Sequence, residues 1–145
     1  MTEQTEKIVQ LLRALYDTYL TIDPFFITEQ LGIEVRYVNF LNNPLGQYLK
    51  IMNKPIILLS EKIENSNERF FVLAHELHHA LAHSDFGSYY SLNSKNRNKI
   101  EYEANAFAAA VCLNLYMEEH ELDPMTKQDL ENHYGLPMEL SDIFL

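Results

Sequence analysis

The sequence is poor in the residues that punctuate, cross-link or span. It has 4 Gly, 5 Pro, one Cys and no Trp in 145 residues. So little Gly and Pro excludes a collagen-like or low-complexity chain. A lone Cys112 cannot close an internal disulfide, which excludes a small secreted scaffold held by bridges. No apolar run approaches the ~20 residues of a membrane helix. The opening Met1-Thr2-Glu3-Gln4-Thr5-Glu6 has neither the basic start nor the apolar stretch of a signal peptide. These absences point to a soluble protein of a reducing cytoplasm. Bases are scarce as well: 11 Lys and Arg face 21 Asp and Glu, a formal net charge of −10. Such a surface repels phosphates and no basic stripe offsets it, so direct nucleic-acid binding is not expected. A basic protein or peptide partner suits the charge, although an acidic balance is also an ordinary route to solubility.

What is present suits a globular fold. The chain is 47% apolar and 22% charged, and at this length folding buries roughly 70% of the unfolded surface. No repeat or flexible linker divides it, so a single domain over 1–145 is expected. Ile8, Leu11, Leu12, Leu15 and Tyr19 recur at helical spacing, with Glu3 and Glu6 in the favourable first turn. Asp23-Pro24 reads as a cap and a first helical position, and Gly32 as a stop, with a short helix between them. The period then changes. Ile33 to Phe40 is β-branched and aromatic, Asn42-Asn43-Pro44-Leu45-Gly46 is a turn cluster, and Tyr48–Met52 and Ile56–Leu59 read as two further strands. The short connectors predict a small antiparallel three-stranded sheet. Helix returns after Asn67 with a wide apolar face, Phe70 to Ala82. A polar loop over Ser84–Asn98 follows, then an alanine-rich helix over about Lys99–Asn114, and a last helix opened by Asp123-Pro124 and closed by Gly135. Helices, then strands, then helices give the α+β class.

The helix after Asn67 carries the chemistry. His75-Glu76-Leu77-His78-His79 is an H-E-x-x-H pattern. Four residues advance a helix by 400°, so His75 and His79 share a face about 6 Å apart along the axis, within reach of one zinc ion. Glu76 lies one residue further round, beside such an ion rather than beneath it, where a carboxylate can serve as general base to a water. A composition of 6 His and 15 Glu yields this pattern by chance about 0.03 times. The sequence around it, Val72-Leu73-Ala74 and Ala80-Leu81, is apolar, and burying two imidazoles and a carboxylate without a cation costs several kcal/mol.

Catalytic zinc usually takes three protein ligands and water. His83 continues the same face but lies about 12 Å from His75 along an unbroken helix. Asp85 is six residues past His79, where some zincins place a ligand, but Ala82 stands where a helix-breaking glycine is normal. The better candidate is Glu101, on the alanine-rich helix. Asn105 shares its face and can hydrogen-bond the far nitrogen of a ligating histidine. Glu103 lies on the face of Phe107 and is the weaker choice. Cys112 is expected to be a small buried residue, since a fourth protein ligand would close the position water needs.

Phe71 to His79, His83, and Glu101-x-x-Ala104-Asn105-x-Phe107-Ala108 together resemble the ImmA/IrrE family of metallopeptidases. Leu31 to Val35 and Pro55 to Leu59 look like its small sheet, and the likeness covers roughly residues 25–115. Two places depart from the family pattern: His78 stands where glycine is usual, and Val111-Cys112-Leu113-Asn114 replaces Leu-Leu-Met-Pro. The resemblance implies a zincin-like helical core, zinc on His75, His79 and Glu101, and Glu76 as base. It also implies a setting in phages and mobile elements, where members cleave a helix-turn-helix repressor. The leading expectation is therefore a zinc-dependent endopeptidase acting on such a repressor. Tyr89, Tyr90, His78 or His83 would then supply the donor to the developing oxyanion. A zinc-stabilised module that binds a transcription regulator without cutting it is the alternative, and a structural protein with incidental histidines is a third.

Overall fold

The structure, a computed structural model, describes residues 3–82 and 94–120. Within them the chain runs α1 (Glu3–Tyr19), α2 (Pro24–Gln30), β1 (Glu34–Val38), β2 (Gly46–Ile51), β3 (Lys54–Ser60), a 3-10 turn (Glu61–Ile63), α3 (Glu68–Ala82) and α4 (Ser94–His120). The class is α+β. The start of α2 follows the sequence signals: the Asp23 carboxylate accepts the Phe25 N–H at 2.9 Å and Pro24 needs no partner for its nitrogen. Gly32, at φ 72°, then takes the left-handed position that turns the chain toward β1.

The sheet differs from the antiparallel meander expected of it. Its order is β1-β3-β2, with β1 parallel and β2 antiparallel to β3. Val35 and Tyr48 therefore flank Ile57 from opposite sides. The reason lies in β3, whose Ile56, Ile57, Leu59 and Ser60 are all buried. A strand covered on both faces belongs at the centre, and the 39–45 connection carries the chain past the place β3 later fills. Only the β2–β3 link is a tight hairpin, closed by Met52 and Asn53 at φ 52° and 66°, as a two-residue primed turn requires. Met52 thus belongs to a turn rather than a strand, and Gly46 opens β2 rather than closing a turn.

Around the sheet the helices stack in layers. α3 packs on β2 and β3 with one face and on α4 with another, and α1 covers the far side of α4. α4 is consequently surrounded: Ala106 and Ala110 meet Ile8 of α1, Ala109 and Cys112 meet Phe70 and Phe71, and Phe107, Ala108 and Val111 enter the main core. A helix buried on every side needs small residues on most of them, which is what the alanine run supplies. α4 is longer than the expected Lys99–Asn114 at both ends. The polar segment Ser94–Asn98 has no apolar period to reveal it, yet extends the helix because propagation from a packed core is cheap. The expected helix after Asp123-Pro124, and loop residues 83–93, lie outside the described residues. Among those described, no helix is long and apolar enough to cross a membrane.

Candidate metal centre

Two antiparallel neighbours, α3 and α4, build the site. Leu73, Ala74 and Leu77 bury the inner face of α3 completely, and this fixes the rotation of the helix about its axis. His75 and His79, one turn apart, then lie side by side with ring centroids 4.9 Å apart. On α4, Ala104 and Ala108 are fully buried, and their small side chains let the helices approach closely. That approach delivers Glu101 and Asn105, also one turn apart, to the imidazoles.

The three side chains converge on one point. Glu101 Oε2 is 2.9 Å from His75 Nε2 and Glu101 Oε1 is 3.0 Å from His79 Nε2. The two Nε2 atoms are 3.2 Å apart. Neighbouring donors on a tetrahedral zinc with bonds of 2.0–2.1 Å stand about 3.3 Å apart, so this triangle has nearly the dimensions of one tetrahedral face. Behind it, His75 Nδ1 lies 2.7 Å from Asn105 Oδ1. An amide oxygen only accepts, so Nδ1 carries a proton, and Nε2 is the nitrogen that bears the lone pair whenever the ring is neutral. Lone pairs of two imidazoles and a carboxylate do not share so small a space without a positive charge between them. Two nitrogens and one oxygen also form a borderline donor set of the kind zinc accepts. Among the described residues, these three are the only His, Cys, Asp or Glu side chains gathered closely enough to hold an ion. They are compatible with a metal ion, and leave a tetrahedral ion one further position.

Electrostatics report the same crowding. Burial pulls the His75 pKa down, but the hydrogen bond to Glu101 and the charges of Glu76 and Glu101 outweigh it, with Asn105 adding to them. The result is a pKa above the ordinary 6.5. In the metal-free chain a proton on His75 is the positive charge that the triangle lacks. His75 and His79 side chains are only 16% and 12% exposed, whereas that of Glu101 is 40% exposed, so the site opens to solvent on the α4 side.

Glu76 is beside the triangle and not part of it. Its Oε2 is 3.7 Å from His75 Nε2, beyond hydrogen-bond reach, and its Oε1 accepts the backbone N–H of Tyr48 at 2.8 Å. Burial pushes its carboxyl above the usual range, against the lowering pull of His75, His79 and the Tyr48 amide. Reasoning from the sequence did not single out Tyr48 or Gly46. A Cβ on Gly46 would lie 2.5 Å from Val72 Cγ1 and 3.2 Å from Glu76 Cγ, so β2 crosses α3 here at a distance only glycine allows. A glycine at the start of an apolar strand is a signal of such an approach.

The remaining candidates fall elsewhere. Glu103 is only partly buried and is not among the converging side chains. His78 is buried, 6% exposed, with its ring 5.3 Å from that of Phe107. Cys112 is fully buried, and burial pushes its thiol far up. His83, Asp85, Tyr89 and Tyr90 lie outside the described residues.

Comparison with known proteins agrees with this geometry. Over 135 residues the chain is 26% identical to "Uncharacterized immunity region protein 2" of Bacillus phage phi105, a match covering 91% of this chain and 85% of that protein. Residues 28–145, which include both helices of the site, match the IrrE N-terminal-like domain of M78 peptidases. The chain belongs to that metallopeptidase family.

Proposed function

We propose that this chain is a zinc-dependent endopeptidase of a reducing cytoplasm, and that it cuts a protein substrate of the helix-turn-helix repressor class. The observation that carries the reading is the donor triangle of His75, His79 and Glu101 with a buried, separately held carboxylate, Glu76, at its side. Family membership supports the reaction class. The relative's name places that protein in a phage immunity region, which supports a repressor as the substrate.

His75, His79 and Glu101 would hold the zinc, and Asn105 keeps His75 in the tautomer that can ligate. When bound, zinc makes a water acidic near neutral pH and polarises a peptide carbonyl. Glu76 takes the proton from the attacking water and returns it to the leaving amine. Its burial raises its pKa, which favours returning the proton.

The test is to mix the protein with a helix-turn-helix repressor, first any encoded in the neighbouring reading frame, with and without a chelator, and to repeat the mixture with Glu76→Gln. Discrete fragments that vanish with chelator and with Glu76→Gln are expected. An intact stoichiometric complex would point instead to a zinc-stabilised binding module. Protein that neither contains zinc by elemental analysis nor takes it up on titration would make the histidines incidental.

A further inference from the structure

The register of β2 divides its backbone into two rows. Leu45 O accepts Ser60 N–H at 2.8 Å, and the hairpin closes between Ile51 and Lys54. In an antiparallel ladder the residues bonded to the partner strand alternate with those that are not. Leu45, Gln47, Leu49 and Ile51 therefore bond β3, while Gly46, Tyr48 and Lys50 turn their N–H and C=O groups to the open edge. Pro55 opposite Lys50 agrees, since it has no N–H to offer there. On this open edge, the Tyr48 N–H donates to Glu76 Oε1 at 2.8 Å. The contact spans 28 residues and joins the sheet to the helix that carries both histidines. It exists because β2 passes within a side chain's width of α3 at Gly46, where a Cβ would overlap Val72 Cγ1. No left-handed conformation is needed at Gly46; the requirement is for space alone.

We propose that Gly46 and the Tyr48 amide form a positioning device, in which the edge strand tethers one oxygen of Glu76 and thereby aims the other at the His75–His79–Glu101 triangle. A glutamate has three rotatable bonds, and a proton shuttle depends on one of its arrangements. Tying Oε1 to the backbone leaves Oε2 as the free oxygen, and it is this oxygen that lies 3.7 Å from His75 Nε2. The backbone is a better tether than a side chain, because the sheet register fixes it. This proposal rests on Glu76 being the base of the peptidase reading, but the tether itself can be measured without any cleavage.

Amide hydrogen exchange followed by NMR gives the first measurement. Tyr48 and Lys50 both face the open edge, yet the Tyr48 amide is expected to exchange at least about tenfold more slowly. That protection should persist in Glu76→Gln, whose side chain still offers an oxygen, and disappear in Glu76→Ala. The second measurement separates tethering from general damage. Gly46→Ala should unprotect Tyr48 and lower kcat for repressor cleavage roughly 10- to 100-fold, the scale of a lost hydrogen bond to a charged group, with KM and zinc stoichiometry unchanged. Adding Val72→Ala to Gly46→Ala removes the nearest obstruction and should restore most of both, the 3.2 Å approach to Glu76 Cγ being left. A Tyr48 amide that exchanges as fast as that of Lys50 in the native protein would overturn the proposal. So would a Gly46→Ala enzyme with full kcat, or a loss that Val72→Ala does not relieve. Protection of Tyr48 in a protein that cuts nothing would sink the peptidase reading while supporting the tether.

Discussion

His75 Nδ1 and Asn105 Oδ1 lie 2.7 Å apart across the α3–α4 interface. The bond decides more than the orientation of one ring. By accepting a hydrogen bond from Nδ1–H, Asn105 leaves Nε2 as the nitrogen of His75 that could hold a metal ion, and the 2.9 Å approach of Glu101 to that nitrogen follows from the same helix face. Two residues one turn apart on α4 thus serve opposite ends of one imidazole.

Asn105→Ala should therefore weaken zinc binding without removing a ligand. Loss of such a partner costs roughly 10- to 100-fold in metal affinity. Competition against a chromophoric chelator measures it. Asn105→Asp keeps an acceptor for Nδ1 and should bind zinc much more tightly than the alanine variant. Equal affinity for all three proteins would remove Asn105 from the site.

Glu76→Gln separates holding the metal from using it. The substituted amide still accepts the Tyr48 N–H but cannot take a proton from water. Zinc stoichiometry should stay at that of the native protein, while cleavage of the repressor falls by about 10²- to 10⁴-fold, the usual contribution of a general base. Undiminished cleavage would assign the proton transfer to another group.

The local signals at His75, Glu76 and His79 were legible because a helix converts spacing into direction, and α3 is strongly apolar around them. Glu101 was legible for the same reason, as one of two residues four apart on a second helix, although only coordinates show the two helices meeting there. Sheet order was not legible. Connector length says that β2 and β3 form a hairpin, but it cannot say that β1 joins the far side of β3, because that depends on which strand is covered on both faces. Ile56 and Ile57, adjacent and so on opposite faces of β3, are both buried and settle the matter only in three dimensions. Ser94–Asn98 has the composition of a loop because polar residues carry no period, though it is helical, and Gly46 has the look of a turn residue because a close approach to Val72 leaves no mark in the local sequence except the glycine itself.

If the proposed metal ion sits on His75 it must displace a proton there, so zinc affinity should depend on pH with a defined sign. The His75 pKa lies above 6.5 in the metal-free chain, raised by Glu101 and Glu76 against the opposing effect of burial. Above that raised pKa the nitrogen is already free and affinity is at its plateau. Below it, each pH unit costs about tenfold for one competing proton. The decline should therefore begin at a higher pH than that of an unperturbed imidazole. Chelator competition across roughly pH 5 to 8 follows it, and a plateau extending unbroken below 6.5 would contradict the raised value.

Phe107 tests the packing that joins the site to the core. It is fully buried, its ring meets His78, and it stands between the α4 residues that carry Asn105 and those that pack on Phe70 and Phe71. Phe107→Ala should cost about 3–5 kcal/mol of stability, read from the shift in the urea midpoint. Phe107→Leu fills most of the space and should recover the larger part of that loss. A loss under about 1 kcal/mol for the alanine variant would mean that α4 is held in some other way.

Cys112 links burial to alkaline stability. It is fully buried between α4 and the Phe70–Phe71 side of the core, and burial pushes its thiol well above the ordinary range. A thiol reagent should therefore label it only after denaturant is added. The sign of the linkage follows from the two states. Below about pH 8.5 both the folded and the unfolded chain keep the thiol proton, and the contribution to stability is complete. As pH rises above that value, the unfolded chain loses the proton while the folded chain retains it, so the contribution declines steadily toward the raised folded pKa. Other groups also titrate there, so Cys112→Ala supplies the control. The variant should be less stable near pH 7 by about 1 kcal/mol for the deleted sulfur, and the gap between the two proteins should narrow or reverse as pH is raised. A gap that stays constant between about pH 7 and 10 would show that Cys112 keeps its ordinary acidity in the fold, and so that it is reached by water.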